Sequence, residues 1–414
     1  MHILFLSDNF PPEVNAPASR THEHCRQWVA ARAQVTVITC APNFPKGRVF
    51  DGYRNRLWQH QMVDGIRVIR VWSYITANEG FVKRVLDYTS FMLSAFIASL
   101  FVRHVDVIVG TSPQFFTAVA AWAAAAVKRK PFVFELRDLW PESIKAVGAM
   151  KESIAIRWLE KLELFLYRRA ARIVSVTHSF RDTLVRRGID GSKIDVVTNG
   201  VDIDRFSPRP KDPGLLARIG WEGCFIAGYI GTHGMAHGLE TLISTMQALQ
   251  ESPQGSRIRM LMLGDGARKV ELQAQAQRLG LLNVAFVDTV PKEEVARYWS
   301  LLDVSVIHLR RTDLFTTVIP SKLFECMGMG IPVLHGVAGE SARIVQSEGV
   351  GIVFEPENAE QLAQELLRLQ SDPALCAQLK SAGLLAAGKY DRATLAMRML
   401  EILSSVAVEG AARR

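Results

Sequence analysis

The chain of 414 residues has only five cysteines, Cys25, Cys40, Cys224, Cys326 and Cys376, an odd number, widely spaced and without a Cys-x-x-Cys pair. That pattern fits neither a disulfide framework nor a structural zinc site, and it suits a reducing cytosol. Gly-x-Gly-x-x-Gly is missing after the first apolar run, which disfavours a dinucleotide-dependent dehydrogenase. Neither a P-loop nor a Gly-x-Ser-x-Gly elbow occurs. A secretory leader is not visible, because the opening apolar run is only Ile3 to Leu6 and Asp8 follows at once. Short repeats and low-complexity tracts are absent too. Glycine (29) and proline (17) are ordinary and 49% of residues are hydrophobic, which excludes collagenous and disordered classes.

What remains is a globular chain long enough for two or three domains. Its net charge of +8 is unevenly placed: residues 1–200 hold 27 Lys and Arg against 17 Asp and Glu, so the excess lies entirely in the first half. Such a half suits a polyanionic partner, whether nucleic acid, anionic lipid or a phosphorylated substrate.

Short β-branched runs alternate with helix-length amphipathic stretches. In the first half, strands are predicted at 3–6, 35–39, 66–71, 105–109, 132–135, 173–176 and 194–197, with helices at 19–33, 118–128 and 151–171. Near-continuous apolar runs of this kind suit a parallel sheet covered on both faces. The rhythm breaks at Asn199–Gly214, a segment of Asn, Asp, Gly and Pro with linker chemistry. It resumes with strands at 225–230, 258–263, 284–287, 304–307, 332–335 and 351–354. Helices alternate with them at 239–250, 268–279, 293–301, 322–329 and 360–369. The expected fold is α/β, two doubly wound domains meeting near residue 205. Ligands of open α/β sheets bind beyond the carboxyl ends of the strands, so the default site is the cleft between the domains.

One stretch stands apart. Residues 85–102 contain no Lys or Arg and are flanked by Arg84 and Arg103. As a helix they would extend about 27 Å, just under a bilayer core. Asp87, Tyr88 and three serines favour a packed core helix, with an interfacial helix or a span as the alternatives.

Four segments carry candidate chemistry. After the strand at 225–230, Gly231, Gly234 and Gly238 form a turn whose N–H groups suit an anion, with Thr232, His233 and His237 beside it. An imidazole next to a phosphate favours its charged form. At residues 320–334, Pro320 and Ser321 read as a helix start with Ser321 as N-cap. Lys322 and Glu325 then share one face: the cation suits phosphate, and the carboxylate can accept both ribose hydroxyls. At 134–143, Arg137, Asp138 and Glu142 cluster beyond a strand, where the plain alternative is a structural ion pair. Finally, the Pro-rich loop at 10–20, containing Asn15 and Ala16, is shaped for close approach of a ligand. Gly264–Asp265–Gly266 adds a further turn. Asp202 and Asp204 lie in the linker and do not suit a metal site.

Taken together, NGVD at 199–202, GDG at 264–266 and PSKLFECMGMGIPVL at 320–334 resemble the family 4 glycosyltransferases of GT-B fold. SDNFPPEVNAPASR, RDLWPES and VTHSF resemble their bacterial surface-polysaccharide branch, which includes L-fucosamine and colanic-acid transferases. The resemblance spans essentially the whole chain. It implies an acceptor-binding Rossmann-like domain at 1–204, a nucleotide-sugar-binding one at 205–390, and a helix at 391–414 returning to the first domain. It further implies retaining transfer, without metal or cofactor, of an N-acetylated amino or deoxy sugar from a UDP-sugar. The implied acceptor is a lipid-linked saccharide, an undecaprenyl diphosphate, at the inner face of the plasma membrane, with no nucleic acid involved. The sequence departs from the family in three places. The first of the paired glutamates falls on Thr317, the phosphate-turn Arg and Lys fall on Thr232 and His237, and the central histidine falls on Arg137. Arg310, Arg311, Lys322 or a histidine must then supply the missing charge, and Asp138 becomes the group expected near the reacting face. A nucleotide-sugar epimerase of similar fold and a non-catalytic nucleotide-sugar binder are the competing readings.

Overall fold

A computed structural model describes residues 1–44, 46–76, 81–139, 154–291 and 293–412. The chain divides into two units, Met1–Thr198 with Arg392–Arg414, and Asn199–Asp391.

Unit 1 is built on an eight-stranded sheet of β1 (His2–Leu6), β2 (Gln34–Cys40), β3 (Trp58–Val63), β4 (Ile66–Val71), β5 (Val107–Thr111), β6 (Phe132–Leu136), β7 (Arg172–Ser175) and β8 (Ile194–Val196). Its order is β3-β4-β2-β1-β5-β6-β7-β8, with every pair parallel except β3–β4. Strand β3 was not expected. Its sequence, WQHQMV, lacks an apolar run because it is an edge strand with no buried position. A local signal for it did exist. Val63 pairs with Ile66 across Asp64–Gly65, both at positive φ (49° and 77°), the Asp-Gly hairpin turn that matches strand twist.

Helices α1 (Ala16–Ala30), α2 (Phe81–Phe101), α3 (Phe115–Lys128), α4 (Ile154–Arg169) and α5 (His178–Arg186) follow the strands. Phe91, Ala95 and Ala98 of α2, the alanines of α3, and Leu166 and Tyr167 of α4 cover one face. Cys25 and Trp28 of α1 cover the other, beside Leu395, Met399 and Leu403 of the C-terminal helix Arg392–Ala412. The Trp28 indole donates to the Ala396 carbonyl at 2.7 Å, fixing that helix to α1.

Unit 2 is a six-stranded, all-parallel sheet of β9 (Phe225–Ile230), β10 (Ile258–Leu263), β11 (Val284–Val287), β12 (Val304–His308), β13 (Val333–Gly336) and β14 (Gly351–Val353), ordered β11-β10-β9-β12-β13-β14. Its helices are α6 (Pro213–Ile219), α7 (Glu240–Glu251), α8 (Lys269–Arg278), α9 (Val295–Trp299), α10 (Lys322–Met329), α11 (Glu340–Glu348), α12 (Ala359–Ser371) and α13 (Pro373–Ala387). The direction of strand addition reverses beside β1 in unit 1 and beside β9 in unit 2. The crevices at the carboxyl ends of those strands are therefore the places for ligands.

The units divide after Thr198, six residues before the expected boundary at 204. The reason is local: Val201 is fully buried in the core of unit 2, and its N–H donates to the Tyr390 carbonyl at 2.9 Å. NGVD thus belongs to unit 2. Asp202 accepts from the Arg205 and Phe206 N–H groups and closes a turn there.

Candidate functional site

In unit 2, two strand-to-helix turns are stitched together. The Gly231 N–H donates to the Leu263 carbonyl at 2.9 Å, the His233 N–H to the Asp265 carbonyl at 2.8 Å, and the Arg268 N–H back to the His233 carbonyl at 2.9 Å. The fit leaves no room for side chains. A Cβ on Gly264 (φ 144°) would lie 1.9 Å from the Gly231 carbonyl oxygen. This is the physical need behind the GDG turn.

Lys322, the first residue of α10, projects into this crevice. Its Nζ lies 3.7 Å from the centre of the Tyr229 ring, and a Cβ on Gly231 would come within 2.7 Å of it. Tyr229 is oriented in turn by donating its hydroxyl to the Thr232 carbonyl at 2.8 Å. Burial lowers the Lys322 ammonium to about 8, against the opposing pull of Cys326 and Glu325. An ammonium held by an aromatic face, with no carboxylate within ion-pair distance among the described residues, is ready to accept an anion. Glu325 follows one helical turn later on α10.

The histidines do not behave as the sequence suggested. His233 is fully buried, with its ring against Tyr229 and Phe286, and neither ring nitrogen has a partner. Burial, with Lys269 and Lys322 nearby, lowers it to about 4. His237 is likewise lowered to about 4, by burial and then by Lys322. Both rings are neutral at physiological pH, and His233 contributes its backbone rather than its imidazole. Ser321 precedes α10 as expected, but it has helical dihedrals and its side chain makes no capping bond. Thr317 ends a 3-10 turn at 313–317, where its hydroxyl donates to the Leu314 carbonyl at 2.9 Å.

Cations are present beside the turn, from a position that sequence reading missed. Arg268 and Arg310 converge on Glu240 at the start of α7: Arg268 makes a close ion pair with it, and Arg310 lies at 3.3 Å. Arg310 also donates from Nε to the Met235 carbonyl at 2.7 Å. Arg311 points elsewhere, bound to Glu355 at 2.7 Å. His308 orders the far side of the turn. Its Nδ1 lies 2.7 Å from the His237 carbonyl, while its Nε2 accepts from the Glu357 N–H at 2.9 Å. Those two partners select a neutral Nδ1–H tautomer.

In unit 1, the carboxyl ends of β1, β5 and β6 bring Asp8, Ser112, Arg137 and Asp138 onto one rim of the sheet. The N–H groups of Arg137 and Asp138 both donate to the Ser112 hydroxyl oxygen, at 2.7 and 3.2 Å. Arg137 donates to the Pro17 carbonyl, and burial lowers its guanidinium to about 10 despite Glu135. Beneath it, Glu135 is buried, but Arg20 at 2.9 Å and Arg137 hold its carboxyl below the usual range. Arg20 also donates to the carbonyls of Val197 (2.9 Å) and Thr198 (2.7 Å), the last residues of this part of the unit.

The 10–20 loop has an internal scaffold. The Glu13 carboxylate accepts from the N–H groups of Asn43 and Phe44, both at 2.8 Å, and from Phe10. Asn15 caps α1 by accepting from the Ala18 N–H at 2.8 Å, and Ala16 is the first helical residue. Asn15 also donates to Asn9, whose amide donates to Asp8 at 2.7 Å. Asp8 is the residue sequence reading passed over. Burial raises its carboxyl to about 7, with Glu13 and Asp87 adding to the effect. Glu142 lies outside the described residues. Among the described residues, no group of three or more His, Cys, Asp and Glu is placed to hold a metal ion.

Comparison with known proteins agrees with this architecture. Residues 15–200 match the Glycosyl transferase 4-like domain, and residues 224–372 match the Glycosyl transferases group 1 domain. An Escherichia coli (strain K12) protein named for colanic acid biosynthesis glycosyl transfer, WcaI, is 24% identical, covering 87% of this chain and 90% of its own length. A Pseudomonas aeruginosa protein named as a glycosyltransferase, WbjE, is 23% identical, covering 67% of this chain and 69% of its own. Among solved structures, Anabaena HepE in complex with UDP superposes with a TM-score of 0.71 at 18% identity, covering 98% of this chain and all of that one. Two Rossmann-like units built on parallel strands and matched glycosyltransferase domains in both together show that the chain belongs to the family 4 glycosyltransferases of GT-B fold.

Proposed function

We propose that this glycosyltransferase moves an N-acetylated amino or deoxy sugar from a UDP-sugar, with retention at the anomeric carbon, during synthesis of a bacterial surface polysaccharide. The acceptor is a saccharide on a lipid diphosphate, undecaprenyl diphosphate being the chemical type, at the inner face of the plasma membrane. The observation that carries the reading is the Lys322 ammonium, poised beside Gly231 over the face of Tyr229. In this role it takes the diphosphate together with N–H groups of the 231–238 turn other than those of Gly231, His233 and His237, which are bonded within the protein, while Glu325 accepts the ribose hydroxyls. Relatives named for polysaccharide synthesis and a neighbouring structure that holds UDP support the substrate classes.

The chemistry assigned to these groups is electrostatic. As the glycosidic bond to the nucleotide breaks, negative charge grows on the departing phosphate, and a cation already in place stabilises it without reorganisation. The leaving phosphate can itself take the acceptor's proton. Asp138 is assigned to the sugar or the acceptor hydroxyl, with Arg137 beside it, and the Ser112 hydroxyl holds both residues by accepting from their N–H groups. No metal is needed where a lysine and helix-terminal N–H groups supply this charge.

Calorimetric titration with UDP, GDP and NAD tests the donor assignment. Binding of UDP alone, lost in Glu325→Ala, is expected. Binding of GDP instead would redirect the search for the sugar, and silence with all three would refute the assignment of the crevice.

A further inference from the structure

We infer that the outer face of α2 rests in the surface of an anionic lipid bilayer, with the helix lying in the membrane plane rather than across it. This deepens the lipid-linked acceptor reading, on which it rests, by naming the surface through which the chain meets that lipid.

A helix on the outside of a globular unit normally has one apolar stripe facing the core and a charged face toward water. Helix α2 has two apolar stripes. The inner one, Phe91, Ala95, Ala98 and, just past the helix end, Val102, is fully buried within the unit 1 core. The outer one is Leu86, Leu93, Ile97 and Phe101, which are 51%, 54%, 55% and 69% exposed. Their spacing of seven, four and four residues keeps them on a single face. Asp87, the only charged residue between Arg84 and Arg103, is partly buried.

The apolar surface continues beyond the helix. Phe101 meets Trp58 of β3 edge-on, with ring centres 6.0 Å apart, and Leu57 and Met62 nearby in sequence are exposed. Tyr74 joins from the loop after β4, where its N–H donates to the Ser90 hydroxyl of α2 at 2.7 Å. Aromatic rings at the edge of an apolar face are the composition of a membrane interface.

Charge selects the occupant. Lys83 and Arg84 open the stripe, Arg103 and His104 close it, and all four are exposed. Cations at both ends of an apolar face match acyl chains below and anionic headgroups at the rim. A second copy of this chain would fit less well, because a twofold contact along the helix brings like charges together. Spanning is excluded by packing. Twenty-one residues are long enough at 1.5 Å each, but moving α2 into a bilayer would uncover the core beneath Phe91 and Ala95.

The test uses the full chain and extruded vesicles without donor or acceptor, so its outcome is independent of any transfer activity. Co-sedimentation is measured with vesicles of phosphatidylcholine containing phosphatidylglycerol, and with phosphatidylcholine alone. Binding at least about tenfold stronger to the anionic vesicles, and weakened by salt, is expected. The double variant Leu93→Glu/Ile97→Glu should lose it while keeping its thermal midpoint and its turnover of a water-soluble acceptor analogue. Lys83→Gln/Arg84→Gln/Arg103→Gln should bind anionic and neutral vesicles alike. Absence of wild-type binding, or undiminished binding by the double variant, would overturn the inference. So would a concentration-dependent dimer abolished by Leu93→Glu/Ile97→Glu, which would make this face a contact between copies.

Discussion

If Lys322 holds the donor phosphate, its charge makes donor binding depend on pH in a direction that distinguishes it from unfolding. Burial lowers the ammonium from 10.5 to about 8, so the free protein carries this charge below about pH 8 and loses it as pH rises through that value. The phosphates of UDP are fully ionised above roughly pH 7, and His233 and His237, at about 4, stay neutral throughout. Of these groups only the Lys322 ammonium changes over this window. If Lys322 is the main phosphate partner, apparent affinity follows its protonated fraction, falling about twofold at pH 8 and about tenfold by pH 9. Stability moves the other way. The folded value lies below the unfolded one, so the unfolded chain binds more protons between about pH 8 and 10, and this group's penalty on folding is relieved as pH rises. That penalty is at most about 3 kcal/mol. Titration calorimetry from pH 7 to 9 should therefore show weakening affinity with no loss of thermal stability from this group. Lys322→Arg, charged throughout, should flatten the dependence, while Lys322→Ala should bind weakly at every pH. Equal affinity at both ends of the range, or a slope that survives in Lys322→Ala, would refute the reasoning.

Three further outcomes follow from the geometry. Glu325→Ala should weaken UDP binding about tenfold or more in calorimetry by removing charged acceptors from the ribose, whereas Thr317→Ala loses only a local bond to Leu314 and should change affinity little. Equal effects would remove the ribose assignment. Gly264→Ala drives a Cβ against the Gly231 carbonyl and should destabilise the chain by about 3 kcal/mol or more, seen as a lowered thermal midpoint with loss of UDP binding. A wild-type midpoint would show that the two turns are not packed as described. Arg20→Ala removes the ion-pair partner of the buried Glu135 carboxylate, leaving it only Arg137 nearby, and should cost about 3 kcal/mol in denaturant unfolding. Adding Glu135→Gln should recover part of that loss, and no recovery would mean that the bonds to Val197 and Thr198 dominate.

The fold was largely legible because buried parallel strands announce themselves. Phe225–Ile230 and Ile258–Leu263 are continuous apolar runs between turns, and their strands have those same limits. Elements governed by other signals were harder to read. Strand β3 has a polar surface and is marked only by the Asp64–Gly65 turn, while the expected core helix at 85–102 proved apolar on its exposed side as well. Hydrophobicity records that a residue can leave water; it does not say whether protein or lipid receives it. The unit boundary was displaced because one buried valine, Val201, decides to which core the NGVD segment belongs.

The site shows the same division between local and distant information. Lys322 and Glu325 could be placed from spacing alone, since three residues on a helix fix a shared face. Two other features could not be read from spacing, because neighbours distant in sequence control them. His233 stands in a glycine-rich turn, where sequence suggests an imidazole facing an anion, but Tyr229 and Phe286 enclose it. Arg268 lies just before the helix that follows the next strand, yet the stitched turns bring it to Glu240, which it shares with Arg310. The departures at Thr232 and His237 are therefore no measure of how much positive charge the crevice holds. Two arginines already stand beside the turn, matched by the carboxylates of Glu240 and Glu271, and Lys322 adds its ammonium over the Tyr229 ring. A family position that has lost its cation is informative only once the cations that converge on it in space have been counted.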